Sequence, residues 1–181
     1  TTPATLDISA EATPKYQWAY DGNESNVATY GRLYTWYAVT DIRNLCPTGW
    51  HVPSDVEWTT LENYLIANGY NYDGTTTENK IAKSLATATN WTSSSNTGAV
   101  GNTDYPGKRN ATGFSSLPGG SRYGGGTFNG FLSFYGIWWS STESDYDQYQ
   151  ALLRYIHADN SYLDAGGYLK VSGASVRCIK D

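Results

Sequence analysis

The sequence predicts an α+β domain, with helices in the first half of the chain and strands mainly in the second. The first observation is a well-capped amphipathic segment that begins at Ser54. The second is a series of short aromatic and β-branched stretches after Gly113, which glycine-rich turns separate. The third is a pair of distant cysteines, Cys46 and Cys178, placed so that a bond between them would tie the last strand to the start of the first helix.

Length and composition indicate one ordinary domain. The 181 residues can bury a single core, and no repeat of about 20–50 residues suggests a solenoid or a propeller. Residues 1–15 are rich in Thr, Ala and Pro, and we expect a loose lead-in there before a single domain at 16–181. Aromatic residues make up 15% of the chain and charged residues only 16%, a profile typical of loop-rich secreted proteins. The expected location is therefore extracellular or at the cell surface.

Net charge and hydropathy argue against two classes of partner. The formal charge of −5 disfavours nucleic acid and anionic membranes, because both select a basic surface. No apolar run approaches the roughly 18–20 residues that span a bilayer, so we expect no membrane insertion by this domain. The first residues lack a Met and a signal peptide, which is the pattern expected of a mature terminus. The sequence does not indicate an oligomeric state.

The elements before the first long helix are predicted to be short. Residues 16–20 form a candidate strand, and Asp21 and Gly22 begin a turn signal. Residues 31–40 are rich in aromatic and β-branched side chains. They are predicted to form either a strand or a short helical turn, because periodicity alone does not decide between the two.

The first long helix is predicted from Ser54, because Ser54 and Glu57 have the spacing of a capping box and Asp55 is favourable at the positive helix end. Gly69 is its expected stop. A second, shorter helix is predicted over residues 78–86. In the first helix the residues that recur at helical intervals are Val56, Trp58, Leu61, Tyr64 and Leu65. In the second, the expected inward-facing positions are Ile81, Ala82 and Leu85.

The second half of the chain is predicted to be a long ordered loop at 90–112 followed by strands. In the strand around Arg154, alternation places Leu153, Tyr155 and His157 on one face. The candidate strands are residues 114–117, 136–141, 151–158 and 175–179, separated by glycine-rich turns at 118–120, 124–126 and 165–167.

The two cysteines and two histidines do not predict a catalytic or zinc site. No C-x-x-C spacing is present, and the cysteines are either a disulfide or two buried thiols, with the secreted-type composition favouring the disulfide. His51 lies in the turn before the helix, where we expect a structural role with its ring bonded to the backbone. His157 is interpreted as a surface residue rather than a base.

Four motifs occur along the chain in a fixed order: CPTGWHVPSDVEW at 46–58, GFSSLPGG at 113–120, WWSSTE at 138–143 and SVRC at 175–178. From about Tyr16 to the C-terminus, the sequence resembles the Fibrobacter succinogenes major paralogous domain family. The resemblance implies a domain of secreted or surface-anchored proteins of Bacteroidetes-type bacteria, often lipoproteins. The family has no settled biochemical activity.

The resemblance also implies a fold and excludes one activity. The implied fold is C-type lectin-like, in the branch shared with the formylglycine-generating enzyme, with two helices, a small twisted antiparallel sheet and long irregular loops. It implies a disulfide between Cys46 and Cys178. The formylglycine-generating relatives need a reactive cysteine pair, and both cysteines of this chain would be used structurally, so we expect no enzyme activity. Three tryptophans are assigned to the core, namely Trp50, Trp58 and Trp138.

Calcium and other cofactors are not indicated by the sequence motifs. Calcium-dependent sugar-binding lectins carry Glu-Pro-Asn or Gln-Pro-Asp together with Trp-Asn-Asp, and these are missing here. Three nearby acids, Glu143, Asp145 and Asp147, could supply some oxygen ligands to a structural calcium, or they could form a solvated acidic loop. No cofactor is expected beyond that possible calcium.

Aromatic residues near the C-terminus are the strongest functional candidates. In the resembling family, the stretch between the WWSST motif and the final cysteine is the most interchangeable, and related lectin-fold proteins bind ligands there. Rigid Tyr rings contact sugars or protein surfaces at low entropic cost. Phe131, Phe134 and Tyr135 belong to the same glycine-rich aromatic region. The candidate ligand-binding residues are Arg122, Tyr123, Phe128, Tyr146, Tyr149, Tyr155, His157, Tyr162 and Tyr168.

These candidates predict a non-catalytic extracellular module that binds a carbohydrate or a surface protein. The alternative is a structural or adhesive display module without a small-molecule ligand, in which the rings fill a loop-rich core or act by multivalency. The two hypotheses differ in one observable: the exposed rings either gather into one concave patch or scatter over the surface.

Overall fold

The computed structural model describes residues 2–128 and 131–181, so residue 1 of the lead-in is outside it. In that part of the chain, four short helices combine with three small antiparallel sheets, which confirms the α+β class. The helices are α1 (Val27–Tyr30), α2 (Trp36–Val39), α3 (Asp55–Ala67) and α4 (Ala82–Leu85). The strands are β1 (Gln17–Trp18), β2 (Leu33–Thr35), β3 (Trp50–His51), β4 (Tyr135–Glu143), β5 (Gln150–His157), β6 (Asp164–Leu169), β7 (Gly173–Ala174) and β8 (Ile179–Lys180).

The long helix α3 begins where the sequence predicts. Glu57 N–H donates to Ser54 Oγ at 3.3 Å, and Ser54 N–H donates to Glu57 Oε2 at 2.8 Å, which completes the capping box. Gly69 follows the helix at a φ of +73°, the left-handed conformation that ends helices. Among the described helices, none is both long enough and apolar enough to cross a membrane.

The segment at 31–40 contains both predicted structures, because β2 runs directly into α2. β2 pairs with β1 and with β7 in the first small sheet. The predicted second helix is much shorter than residues 78–86: Glu78 has a φ of +62°, and only α4 is helical. Its inward-facing positions are nevertheless buried, with Ile81 and Leu85 at most 1% exposed.

Two predicted strands are also corrected. Residues 114–117 do not form a regular strand; Ser116 makes only an isolated parallel bridge to Ala86. The strand predicted at 175–179 is replaced by β7 and β8, which pair in different sheets. Both differences arise because pairing with distant chain segments, which local pattern does not report, decides where a strand forms.

The three-stranded sheet β4-β5-β6 has a core on each face. Trp138 and Ile156 on one face pack with Trp58 of α3. On the other face, Trp139 packs with Trp36 of α2. Burial of Trp58 and Trp138, at 2% and 6% exposure, confirms two of the three predicted core tryptophans.

The disulfide joins Cys46 to Cys178 across 132 residues, with their Cα atoms 5.9 Å apart. It lies next to the short β3-β8 pair, in which His51 is opposite Ile179. Trp50 in β3 was assigned to the core by sequence, but it is 40% exposed, because β3 belongs to a sheet of only two strands.

His51 links the C-terminus to the cap of α3. Its Nδ1 lies 2.6 Å from Oδ1 of Asp181, and its Nε2 lies 2.9 Å from Oε1 of Glu57. The structural role predicted for His51 is therefore confirmed, but the expected backbone partner is wrong, since both partners are carboxylates.

We expect these contacts to make the stability of the domain depend on pH. Hydrogen bonds to Asp181 and Glu57 raise the pKa of His51 above its ordinary value of 6.5. Because the folded pKa is the higher one, this stabilisation is fully present below about pH 6.5 and is lost as the pH rises through the raised pKa. Urea titrations should show that loss in the wild type but not in His51→Gln. Both proteins contain His157, so any contribution from that residue is the same in the two pH profiles. Identical profiles would therefore contradict the predicted contribution of His51.

Candidate ligand-binding groove

A groove of about 300 Å³ opens on the face of the β4-β5-β6 sheet that carries Trp139. We call it the aromatic groove. Toward Ser140 the same sheet is covered by Trp36, whose indole N–H donates to the Ser140 carbonyl at 3.0 Å. The groove is lined by Ser121, Tyr123, Phe131, Tyr135, Ile137, Leu153, Tyr155, Gly166, Gly167 and Tyr168.

Strand alternation explains why aromatic side chains and a glycine share this face of the sheet. Ile137 pairs with Tyr155 and Leu153 pairs with Gly166, so these side-chain positions share one face of the sheet. A Cβ added to Gly166 would stand 3.6 Å from Cε1 of Tyr155. The missing side chain at Gly166 therefore keeps the floor of the groove open.

One wall of the groove is formed by Tyr168 and Tyr123, with ring centroids 6.2 Å apart. The Tyr168 ring also packs against Trp139 at 6.0 Å, and its hydroxyl lies 3.1 Å from Oγ of Ser121. Trp139 in turn donates its indole N–H to the carbonyl of Tyr34 at 2.7 Å. Tyr168 is thus fixed in position by the core beneath it, whereas Tyr123 is 41% exposed.

The opposite wall is a chain of rings. Tyr135 lies 4.6 Å from Phe131 and 6.1 Å from Tyr155, measured between ring centroids. The ring of His157 continues the chain at 5.2 Å from Tyr135. Such tilted arrangements are favourable aromatic contacts, so this wall is preorganised.

The end of the groove beyond Tyr155 is acidic. Asp164 in β6 pairs with Tyr155 in β5. The carboxylate of Asp164 accepts a hydrogen bond from Asn160 Nδ2 at 3.2 Å. Burial raises the pKa of Asp164, and the neighbouring His157 opposes that shift. Burial, and secondarily the charge of Asp164, raises the pKa of Tyr155. A half-buried carboxyl group therefore lies beside the ring wall.

Both nitrogens of the His157 ring are occupied. Nδ1 contacts the carboxylate of Asp159, and Nε2 accepts from Asn160 Nδ2 at 2.9 Å. Since Asn160 is the donor at Nε2, the proton of a neutral His157 lies on Nδ1. The orientation of the imidazole is therefore fixed by Asp159 and Asn160.

Three candidate tyrosines lie outside the aromatic groove. Tyr146 is 99% exposed, Tyr149 is 66% exposed and Tyr162 is 48% exposed. Tyr149 lines a different cavity together with Tyr37 and residues of the N-terminal segment. The structure thus gathers Tyr123, Tyr155 and Tyr168 into one groove and leaves the other three separate.

Arg122 was predicted to bind ligand, and this prediction is wrong because its side chain is fully buried. The guanidinium lies 3.9 Å from the centroid of the Trp18 ring, and Nε donates to the carbonyl of Ala4 at 3.0 Å. The Leu6 carbonyl accepts from the same guanidinium. Arg122 therefore holds part of the predicted lead-in against the domain.

Phe128 is a second candidate that packs inside the fold. Its ring is half-buried and lies 5.1 Å from the ring of Tyr20. It does not line the aromatic groove. From sequence alone, a packed ring and a surface ring look the same in a glycine-rich segment. The contact with Tyr20 shows that Phe128 is a packed ring.

The acidic candidates for calcium do not converge. Glu143 pairs with Lys170 at 3.1 Å, and Asp147 accepts from the backbone of Tyr149 at 2.9 Å. Within residues 2–128 and 131–181, no group of three or more His, Cys, Asp or Glu side chains could hold a metal ion. The structure therefore does not bring Glu143, Asp145 and Asp147 together as the calcium ligands that the sequence suggested.

The floor of the aromatic groove was missed by the sequence analysis. Residues 165–167 were predicted to be a turn, yet Gly166 and Gly167 lie inside β6. A Cβ on Gly167 would come within 2.3 Å of Oε1 of Gln150, the end of a flexible side chain that would have to move. The available signal was the alternation of Asp164, Gly166 and Tyr168, which predicts one face once a strand is assumed.

Comparisons with known proteins give one result. The profile of the Fibrobacter succinogenes major domain matches residues 2–180, nearly the whole chain. Searches of curated proteins and of solved structures found no match. The resemblance carried by the four motifs is therefore confirmed, and the chain belongs to the Fibrobacter succinogenes major domain family.

Proposed function

We propose that this domain is a non-catalytic extracellular module that binds a carbohydrate or a surface protein in the aromatic groove. The proposal includes display on a secreted or surface-anchored protein, such as a lipoprotein of a Bacteroidetes-type bacterium, and a C-type lectin-like fold. The disulfide is consistent with an oxidising location outside the cell.

One observation carries the proposal: five rings line a single groove, although Tyr123 is the only exposed ring among them. Tyr and Phe rings offer rigid apolar faces that match sugar rings or partner side chains. The groove volume, about 300 Å³, is at the lower end of the range for ligand sites. The rings are Tyr123, Phe131, Tyr135, Tyr155 and Tyr168.

The alternative is a structural or adhesive display module without a small-molecule ligand. It is favoured by the exposed tyrosines that do not join the groove, above all Tyr146. A multivalent adhesin would use such scattered rings, and its binding would depend on Tyr146 more than on the groove.

We expect Gly166→Leu to abolish binding, because its side chain would occupy the groove floor without a backbone clash. Tyr155→Ala should weaken binding at least tenfold, about 1.4 kcal/mol, through loss of one wall. The measurement is a glycan array together with a cell-surface protein screen, followed by titration of any hit. Tyr146→Ala is the matched control and should bind like the wild type.

The outcomes separate the two functions. Loss of binding in Tyr146→Ala with unchanged binding in Gly166→Leu would support the adhesive alternative. No hit in either screen at high concentration would count against the ligand-binding proposal. Thermal unfolding of each variant shows whether a lost signal reflects loss of the fold.

A further inference from the structure

A second groove, of about 470 Å³, lies between α3 and the residues on either side of Cys178. We call it the α3 groove. It shares no lining residue with the aromatic groove. Its lining residues are Pro53, Glu57, Trp58, Thr60, Leu61, Tyr64, Phe114, Arg177 and Ile179.

The body of the α3 groove is apolar. Trp58 and Phe114 pack with ring centroids 6.0 Å apart, and the lining continues with Leu61 and Ile179. Tyr64, one turn further along α3, remains 59% exposed. An apolar cleft of this size suits a small ligand with a hydrocarbon or aromatic body.

Two side chains that line this groove, Trp58 and Arg177, carry donors without an acceptor among the described residues. Trp58 is 2% exposed, and its indole N–H has no hydrogen-bond partner in the described part of the chain. The Arg177 guanidinium lies 4.4 Å from the centroid of the Phe114 ring. Arg177 is exposed to solvent, and within the described residues it makes neither a hydrogen bond nor an ion pair. Of the two, the Trp58 indole is buried, and a buried donor without an acceptor is uncommon in folded proteins.

The one carboxylate among the described lining residues does not supply that acceptor. Glu57 Oε2 accepts from the Ser54 backbone N–H at 2.8 Å, and Oε1 lies 2.9 Å from Nε2 of His51. Arg177 is therefore a cation with a vacant donor fork at the edge of an apolar cleft. A guanidinium is the side chain best matched to a carboxylate.

We propose that the α3 groove binds a small apolar monocarboxylate, a medium-chain or aromatic acid. The hydrocarbon body lies against Trp58, Leu61 and Phe114, and the carboxylate accepts hydrogen bonds from Arg177. The indole N–H of Trp58 supplies a further donor. This site is independent of the aromatic groove, so it stands or falls separately from the proposed function.

The test uses decanoate as the probe, with decanol as the uncharged control ligand. We expect decanoate to bind with a Kd of about 1 mM or below and to shift the Trp58 indole N–H signal in ¹H–¹⁵N NMR spectra. Arg177→Gln should weaken decanoate at least tenfold, while Trp58→Phe, which keeps a ring but removes the N–H, should weaken it about threefold. Lys180→Gln makes the same charge change outside the groove and should have no effect.

Each result decides the proposal. Equal binding of decanoate and decanol, or unchanged binding in Arg177→Gln, would overturn the carboxylate assignment. No binding of decanoate to the wild type would overturn the site itself. A protein C-terminus with apolar side chains offers the same combination of a carboxylate and an apolar body, and a short peptide in free-acid and amide forms tests it. If the free-acid peptide binds tighter than decanoate and the amide does not, the ligand is a protein C-terminus rather than a free acid.

Discussion

Replacing Cys46 and Cys178 together by Ser should lower the free energy of unfolding by about 3–5 kcal/mol. The bond closes a loop with a sequence separation of 132 residues. Chain-entropy stabilisation grows with the logarithm of loop length, and a loop of this size is near the upper end of the usual range. For a domain whose total stability is of order 5–15 kcal/mol, this loss removes a large fraction.

Chemical denaturation under non-reducing conditions measures the effect directly. The double variant should unfold at a lower denaturant concentration than the wild type, and a reducing agent should shift only the wild type. Peptide mapping of the wild type should recover Cys46 and Cys178 in one cross-linked fragment. An unchanged midpoint in the double variant would show that the bond contributes little.

The consequence of losing the bond should be concentrated at the C-terminus. β3 and β8 are each two residues long, so the pair has few hydrogen bonds of its own. The bridge at Cys178 immediately precedes β8, and His51 of β3 binds Asp181. Hydrogen exchange of the last residues should therefore rise first in the double variant.

Local chemistry explains what the sequence predicted well. The start of α3 follows from the reciprocal Ser54–Glu57 bonds, which depend only on residues three apart. The strand β5 was predicted at 151–158 and lies at Gln150–His157, because its apolar content is high along its length. The shared face of Leu153 and Tyr155 followed from alternation alone and is confirmed by the groove lining.

Long-range contacts explain what the sequence did not predict. The glycines at 165–167 form part of a strand because β5 pairs with them residue by residue. Arg122 looked like a surface residue in a flexible loop, yet it is buried against Trp18. The burial of Arg122 leaves no local trace, since Trp18 is distant in sequence, and the alternation within 164–168 predicts a face only once a strand is assumed.

The candidate site shows the same division. Single aromatic residues could be nominated from the sequence, and three of them line the groove. The grouping of these residues could not be predicted, because Tyr123 contacts Tyr168 of β6 only when separate chain segments meet in the fold. Exposure decided the rest: Tyr146 and Tyr168 have the same chemistry, but only Tyr168 is fixed against Trp139.

Lys83→Met should destabilise the domain by about 3 kcal/mol. The Lys83 side chain, in α4, is fully buried. Its ammonium donates to the carbonyl of Asn102 at 2.8 Å and to that of Asp104 at 2.7 Å. It also pairs with the Asp104 carboxylate. Burial lowers the pKa of Lys83, and the hydrogen bond to Asp104 opposes this shift.

The physical reason is that one ammonium satisfies three oxygens of the loop at 90–112, which the sequence predicts to be long and ordered. Methionine has similar length and fills the space, but it removes the ammonium donor from both carbonyls and from the carboxylate. Among the described residues, the Asn102 carbonyl then keeps only its bond from Arg109, and the Asp104 carboxylate keeps only its bond from the Gly98 N–H. The Asp104 side chain is 26% exposed and can recover some hydration, so the expected loss is at the lower end of the range for broken buried pairs.

Denaturation of Lys83→Met and of Lys15→Met separates this effect from the general cost of removing a lysine. Lys15 forms an ion pair with Asp41 at 2.7 Å, but its side chain is 46% exposed, so its replacement should change stability little. Hydrogen exchange should become faster at Gly98, whose N–H donates to Asp104 at 2.8 Å. If both variants were equally stable, the loop would have to be ordered by its own turns, and Lys83 would only fill space.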